Sequence, residues 1–202
     1  MKTTIYLIRH GTTDWNEAGR YQGSSDIPLN EKGKLEAELV GKELLSIPFS
    51  TIYSSPLVRA HTTAQEIAKH RGVPIQLVEG LKERSYGEFE GMTFDEIERQ
   101  PHFQKHLRKN WYLAGAPNGE SFEQTTKRVG EAFATIIPNH INETIGIVAH
   151  GGVIKSIGYH IGHLEKDTIA KVLIPNAKPL LIEYLHSNDK YNVINFPFSL
   201  RK

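Results

Sequence analysis

Arg9, His10, Arg59 and His150 are the side chains whose types and surroundings in this sequence suggest chemistry. Two apolar runs end alike, Ile-Tyr-Leu-Ile-Arg-His-Gly at 5–11 and Ile-Gly-Ile-Val-Ala-His-Gly-Gly at 145–152. If the runs are neighbouring strands of an open α/β sheet, His10 and His150 face one pocket beyond their carboxyl ends. A third run, Thr51 to Tyr53, leads to Arg59 about one helical turn into the next element, at the same edge. Two permanent positive charges and two imidazoles around one small volume suit a phosphate dianion. Gly151 and Gly152 would open a helix whose free N–H groups favour an anion, and Gly11 would let the chain turn away sharply. Taken singly, each is an ordinary strand-end residue; the joint pattern points to a site.

The elements that must position these residues are legible in outline. Residues 3–9 are apolar on both alternating faces, as a central strand between helix layers should be. Asn30 is a plausible N-cap for a helix in which Leu35, Leu39, Leu44 and Leu45 share one apolar stripe. Thr51 to Tyr53 is a second strand. Ser55-Pro56 reads as an N-cap with proline at the first helical position, opening a helix through Ala60, Ala64 and Ile67 to Gly72. Ile75 to Val78 is a third strand. Thr93 with Glu96 and Ser121 with Gln124 have capping-box spacing, opening a short helix to Arg99 and a longer one to about Ile137. Thr144 to Ala149 is a further buried strand, and Val153 to Ile161 has helical period. Leu180 to Leu185 and Tyr191 to Asn195, around Asn188-Asp189, read as a hairpin. This alternation predicts an α/β fold, a three-layer α/β/α sandwich with a mostly parallel central sheet.

Composition narrows the rest. A chain of 202 residues, 39% hydrophobic and 23% charged, suits one soluble domain over 1–202, with no internal repeat. With 24 Lys and Arg against 23 Asp and Glu there is no sustained basic field, so nucleic acid is not expected as a partner. The absence of cysteine removes disulfides and thiolate chemistry and fits a reducing compartment. No signal peptide is read before the first strand, and no window holds the roughly 18 apolar residues of a membrane span. A cytoplasmic protein without a membrane partner is expected; a homodimer is left open.

The run Leu7-Ile8-Arg9-His10-Gly11-Thr12-Thr13-Asp14-Trp15-Asn16, then Gln22-Gly23, Asp26, Leu29 and Gly33, resembles the signature of the histidine phosphatase superfamily in its phosphoglycerate-mutase-like branch. Ser54 to Ala60 with Thr63-Ala64, then Glu83 with Gly87, Glu90 and Gly91, and Ala149 to Gly152 extend the match in order. The resemblance implies a phosphatase that handles a small phosphorylated metabolite through a phospho-histidine on His10, which must be neutral to attack. It implies that Arg9, Asn16, Gln22, Arg59, His150 and the Gly151 N–H bind the phosphate oxygens. Glu83 would protonate the leaving alkoxide and later activate water. No metal or cofactor is implied, because the arginines take that place. The spacings His102 to His106 and His160 to His163 lack the Glu of a His-Glu-x-x-His site and read as ordinary surface histidines.

The family contains hydrolases and mutases, and the residues here are mixed. Glu83-Arg84-Ser85-Tyr86-Gly87 resembles the mutases, in which the arginine and tyrosine contact phosphoglycerate. Gly87-Glu88-Phe89-Glu90-Gly91 and Pro117-Asn118-Gly119-Glu120-Ser121 resemble the phosphatases, and the longer mutase insertion is missing. A more open site admits water, so the expectation is a phosphatase, with a cofactor-dependent phosphoglycerate mutase as the alternative. A non-catalytic phospho-ligand-binding protein ranks below both, because the catalytic set is complete. Arg84, Tyr86, His102 and Trp111 are the candidate specificity residues. The helical insertion near 93–120 is expected to lie over the pocket mouth, or else to bury Phe103, Leu107 and Trp111 as one stripe.

Overall fold

The computed structural model describes residues 1–69 and 71–200. Strands β1 (Lys2–Arg9), β2 (Phe49–Ser54), β3 (Ile75–Leu77) and β4 (Thr144–Ala149) are parallel, in the order β3-β2-β4-β1. A short strand β5 (Val172–Leu173) pairs with β8 (Ser199–Leu200), apart from the main sheet. The hairpin β6 (Pro179–Leu185) and β7 (Lys190–Asn195) continues that sheet antiparallel beyond β1, which makes it six-stranded. The expected mostly parallel α/β sandwich is the observed fold.

The central strands read as continuous apolar runs because both of their faces are covered. Helices α1 (Asp14–Glu17), α2 (Glu31–Glu43) and α3 (Val58–Ala68) follow β1 and β2. Val40 and Leu44 with Ala60, Ala64 and Ile67, from α2 and α3, close over Ile8, Ile52 and Val148. On the opposite face α6 (Phe122–Ile136) and α7 (Gly151–His160) press Val129, Phe133, Ile154 and Ile157 onto Ile5, Leu7, Ile145 and Ile147. Between β3 and α6 the chain forms α4 (Phe94–Glu98), a π turn over Phe103–Leu107, and α5 (Arg108–Asn110); α8 (Lys166–Ile169) follows α7. No helix among the described residues is long and apolar enough to cross a membrane.

Caps at Asn30, Thr93 and Ser121 form as their spacing predicts, the last two as complete capping boxes. The stripe assigned to α2 is corrected. Leu35, Leu39 and Leu45 are about half exposed, and only Leu44 of the four is buried. The buried face carries Gly33, Ala37, Val40 and Gly41, because α2 packs backbone to backbone. A Cβ on Gly33 would lie 1.9 Å from the Thr12 carbonyl oxygen, and one on Gly41 2.6 Å from that of Glu66. Close approach here outranks hydrophobicity.

The start of α3 is also corrected. Its N-cap is Leu57, two residues beyond Ser55, and it ends at Ala68, with Gly72 in the following turn at φ +64°. Ser55 is engaged elsewhere, and the carboxylate of Asp26 accepts the Val58 N–H at 2.7 Å in its place. Helix α7 opens at Gly151, as the glycine pair suggests, two residues before its apolar period begins at Val153. Phe103, Leu107 and Trp111 do not share a stripe. The first two pack with Phe89, Ile97 and Ala116, and Trp111 packs against Phe122.

Replacing Leu35 or Leu39 by alanine is expected to change the unfolding free energy by no more than about 0.5 kcal/mol. Gly33→Ala is expected to cost about 1–3 kcal/mol through overpacking. Urea unfolding midpoints of the three variants check this.

Candidate active site

The register of β1 on β4 pairs Arg9 with Ala149, so His10 and His150 leave the sheet side by side. Their ring centroids are 5.2 Å apart. Both imidazoles are almost completely buried, at 2% and 0% exposure. Burial, and then the charges of Arg9 and Arg59, hold the His10 imidazole well below its ordinary pKa, and it is neutral. His150 is lowered by burial first and then by Arg59, His10 and Arg9.

Each tautomer follows from a partner. His10 Nδ1 donates to the Gly11 carbonyl at 2.7 Å, which leaves Nε2 with a lone pair and no hydrogen bond among the described residues. The Ser55 hydroxyl lies 2.7 Å from His150 Nε2, and its oxygen already accepts the Leu57 N–H at 3.3 Å. The Ser55 hydroxyl has one proton to give, and donation to Nε2 is the arrangement that gives it an acceptor; we assign it so, which puts the proton of His150 on Nδ1, a buried atom with no partner. Ser55 thus touches the site, where its sequence position suggested a helix cap and a place in the family match but no bond to His150.

Arg59 is fully buried in the first turn of α3. Its two terminal nitrogens donate to the carbonyls of Ser25 and Gly23, both at 2.7 Å, and its buried Nε has no partner. Burial, the leading cause, lowers its pKa, and the Glu83 charge acts against that. Arg9 donates to the Ile174 carbonyl at 2.7 Å, and a Cβ on Gly151 would lie 3.7 Å from Arg9 Nε. Gln22 is buried with its Oε1 unpaired; an amide flip would put its NH2 there as a donor.

Glu83 comes from the segment after β3. Its carboxylate accepts the Gly152 N–H at 3.1 Å and the Arg84 N–H at 2.8 Å. The approach is close: a Cβ on Gly152 would lie 2.3 Å from Glu83 Oε1, so the carboxylate would have to move to admit one. Arg128 braces the same segment, donating to the carbonyls of Gly80 and Lys82 at 2.8 and 3.0 Å.

The remaining candidates are engaged differently. The Oδ1 of Asn16 accepts from the Thr13 N–H and hydroxyl, closing the cap of α1. Arg84 donates to the carbonyls of Glu120 at 2.9 Å and Ala114 at 3.4 Å, and lies over the Tyr86 ring. Burial raises the Tyr86 phenol well above its usual value. His102 bonds the Gly115 carbonyl at 3.0 Å and its ring lies 4.7 Å from that of His106; Trp111 sits against Tyr112 and Phe122. These two find their contacts outside the Arg9–His10–Arg59–His150 cluster. Among the described residues no group of three or more acidic, histidine or cysteine side chains gathers to hold a metal ion. Asn176, not singled out by its sequence, donates to the His10 carbonyl at 2.7 Å, and the neighbouring Ala177 N–H bonds that of Arg9.

A neutral imidazole with an open lone pair, flanked by two guanidinium groups and a neutral N–H donor, can accept a phosphoryl group and stabilise its oxygens. The fold agrees with the lineage. Residues 5–196 match the model of the histidine phosphatase superfamily (branch 1), and the chain belongs to this family. It is 33% identical over 192 residues to a 2,3-bisphosphoglycerate-dependent phosphoglycerate mutase of Bartonella bacilliformis, covering 91% of this chain and 93% of that one. It is 36% identical over 156 residues to the uncharacterised phosphatase PhoE of Bacillus subtilis, covering 77% and 75%. A phosphoserine phosphatase mutant of Entamoeba histolytica, solved with phosphoserine, superposes with TM-score 0.84 at 31% identity over 96% of each chain.

Two outcomes follow from the imidazoles. Because their folded-state pKa values lie below the unfolded value of about 6.5, the unfolded chain binds more protons as pH falls below it. The stability they allow is complete above that pH and is lost as pH drops toward the folded-state values, by at most about 1.4 kcal/mol per pH unit for each ring. Denaturant midpoints measured from pH 7.5 to 5 are expected to fall, and to fall less steeply for His10→Asn with His150→Asn. Ser55→Ala is expected to shift His150 toward the Nε2–H tautomer, read by ring-nitrogen NMR, and to cost about 1–3 kcal/mol in stability.

Proposed function

We propose that this protein is a phosphatase that hydrolyses small phosphomonoesters through a phospho-histidine on His10. The observation that carries the reading is the buried His10, with Nδ1 bonded to Gly11, its ring 5.2 Å from that of His150, and both it and the unpaired Arg59 Nε buried in one cluster. In the first step Nε2 attacks phosphorus and the phosphorus–oxygen ester bond breaks. Glu83 gives its proton to the departing alkoxide. In the second, Glu83 takes a proton from water, whose oxygen attacks phosphorus; the nitrogen–phosphorus bond breaks and inorganic phosphate leaves. Arg9, Arg59 and His150, with Asn16, Gln22 and the Gly151 N–H, act on the phosphoryl oxygens, where positioning and charge do most of the catalysis.

Hydrolysis is favoured over transfer by the state of Arg84. The mutase resemblance would turn this residue to phosphoglycerate, yet two of its nitrogens already serve the carbonyls of Glu120 and Ala114. The phosphoserine-bound relative supports a small phosphomonoester as substrate. The mutase reading rests on Glu83 to Gly87 and on the identity with the Bartonella enzyme.

The deciding assay incubates the protein with p-nitrophenyl phosphate, and separately with 3-phosphoglycerate plus 2,3-bisphosphoglycerate. Expected are phosphate release from the first and a loss of about 10³-fold or more in His10→Ala. Rapid interconversion of 3- and 2-phosphoglycerate with little phosphate release would instead make the chain a mutase. Radiolabel trapped on His10 would rule out a protein that only binds phosphorylated ligands.

A further inference from the structure

We propose that Glu90 is a positioning residue that aims Arg59 at the phosphoryl group, acting through the loop of Gly23 to Ser25. This rests on the reading of Arg59 as a phosphate ligand. Five donors converge on this one carboxylate. Oε1 accepts from the Ser24 N–H and hydroxyl, both at 2.9 Å, and from the Tyr86 N–H at 3.1 Å. Oε2 accepts from the Ser25 N–H at 2.9 Å and its hydroxyl at 2.6 Å. Burial alone would raise the Glu90 carboxyl, but the bonds from Ser25, Ser24 and Tyr86 outweigh it and hold its pKa below the ordinary value.

The loop so gripped supplies the two carbonyls, of Gly23 and Ser25, that hold the terminal nitrogens of Arg59. Carbonyl bonds are directional, so a shift of this loop rotates the guanidinium plane and with it the unpaired Nε. The loop lies tightly against the carboxylate: Gly23 has φ +54°, and a Cβ there would lie 2.1 Å from Glu90 Oε1 and 2.9 Å from the Tyr86 nitrogen. Three residues after Gly23, Asp26 caps the helix that carries Arg59. The Tyr86 bond places Glu90 between this loop and the segment that begins at Glu83. A carboxamide could not replace it, since its NH2 would face a donor pair.

The test compares native protein, Glu90→Gln, Arg59→Gln and the double variant, with Ser24→Ala/Ser25→Ala as a milder change that keeps the carboxylate. Three quantities are read: kcat/KM for p-nitrophenyl phosphate, the inhibition constant of orthovanadate, and hydrogen exchange of the Arg59 Nε–H by NMR. Glu90→Gln is expected to weaken vanadate inhibition tenfold or more, and the serine variant about threefold. In the Arg59→Gln background Glu90→Gln should cost less than twofold further, the non-additivity of residues acting as one unit. Vanadate inhibition within twofold of native in a folded Glu90→Gln would overturn the proposal, as would an equal loss in both backgrounds. If native protein neither hydrolyses phosphomonoesters nor binds vanadate, the proposed function fails, yet the exchange measurement still decides positioning. Arg59 Nε–H exchange should be slow in native protein and at least tenfold faster in Glu90→Gln; equal rates would overturn it. If Glu90→Gln does not fold, the serine variant carries the same comparison, and unchanged exchange and inhibition there would overturn it.

Discussion

Two guanidinium groups and two imidazoles gather at the end of β1, β4 and α3, with Arg59, His10 and His150 buried and Arg9 half-buried, and like charges in a medium of low dielectric repel strongly. The arrangement holds because burial favours the neutral imidazoles and because backbone carbonyl dipoles meet the two terminal nitrogens of Arg59 and one of Arg9. Arg59 forms no salt bridge among the described residues. A buried ion pair would have spent its charge within the protein, whereas carbonyls leave a positive potential that an incoming anion completes.

That constraint explains why so much of the surrounding structure is devoted to holding backbone in place. Asn176 and Ala177 secure the carbonyls of His10 and Arg9, Glu90 secures the loop beneath Arg59, and Asp26 secures the start of its helix. Gly11 and Gly33 let α2 close on the turn after His10, since a Cβ on Gly11 would lie 2.4 Å from the Gly33 carbonyl oxygen. Carbonyls and N–H groups cannot adjust as long side chains do, so a site built from them depends on rigid neighbours.

The two halves of the site differ in kind. Arg9, His10, Arg59 and His150 form the half suited to a phosphoryl group, built on strand ends and a helix start. The segments 83–91 and 114–121 form the other, and they are bound chiefly to one another: Ser85 and Glu120 exchange bonds, Glu88 bonds the Pro117 carbonyl, and Glu120 pairs with Arg128. In the proposed reading this second half receives the leaving group, and its internal bonds hold Arg84 away from substrate.

The sequence by itself determined the parallel strands, three of the helix caps and the convergence of His10 with His150. Each is written in local pattern: two-faced apolar runs, capping spacings, and a histidine-glycine pair closing two strands. Tertiary structure alone decided the buried face of α2, where Gly33 and Gly41 rather than the leucines meet the core. It also decided that Ser55 serves His150 instead of capping α3, a bond across 95 positions of chain. Asn176, 166 positions from the His10 carbonyl it holds, gave no local signal at all. Periodicity reports what a segment can bury; which backbone it meets, and which distant donor finds an orphaned acceptor, depends on contacts that exist only after the chain has folded.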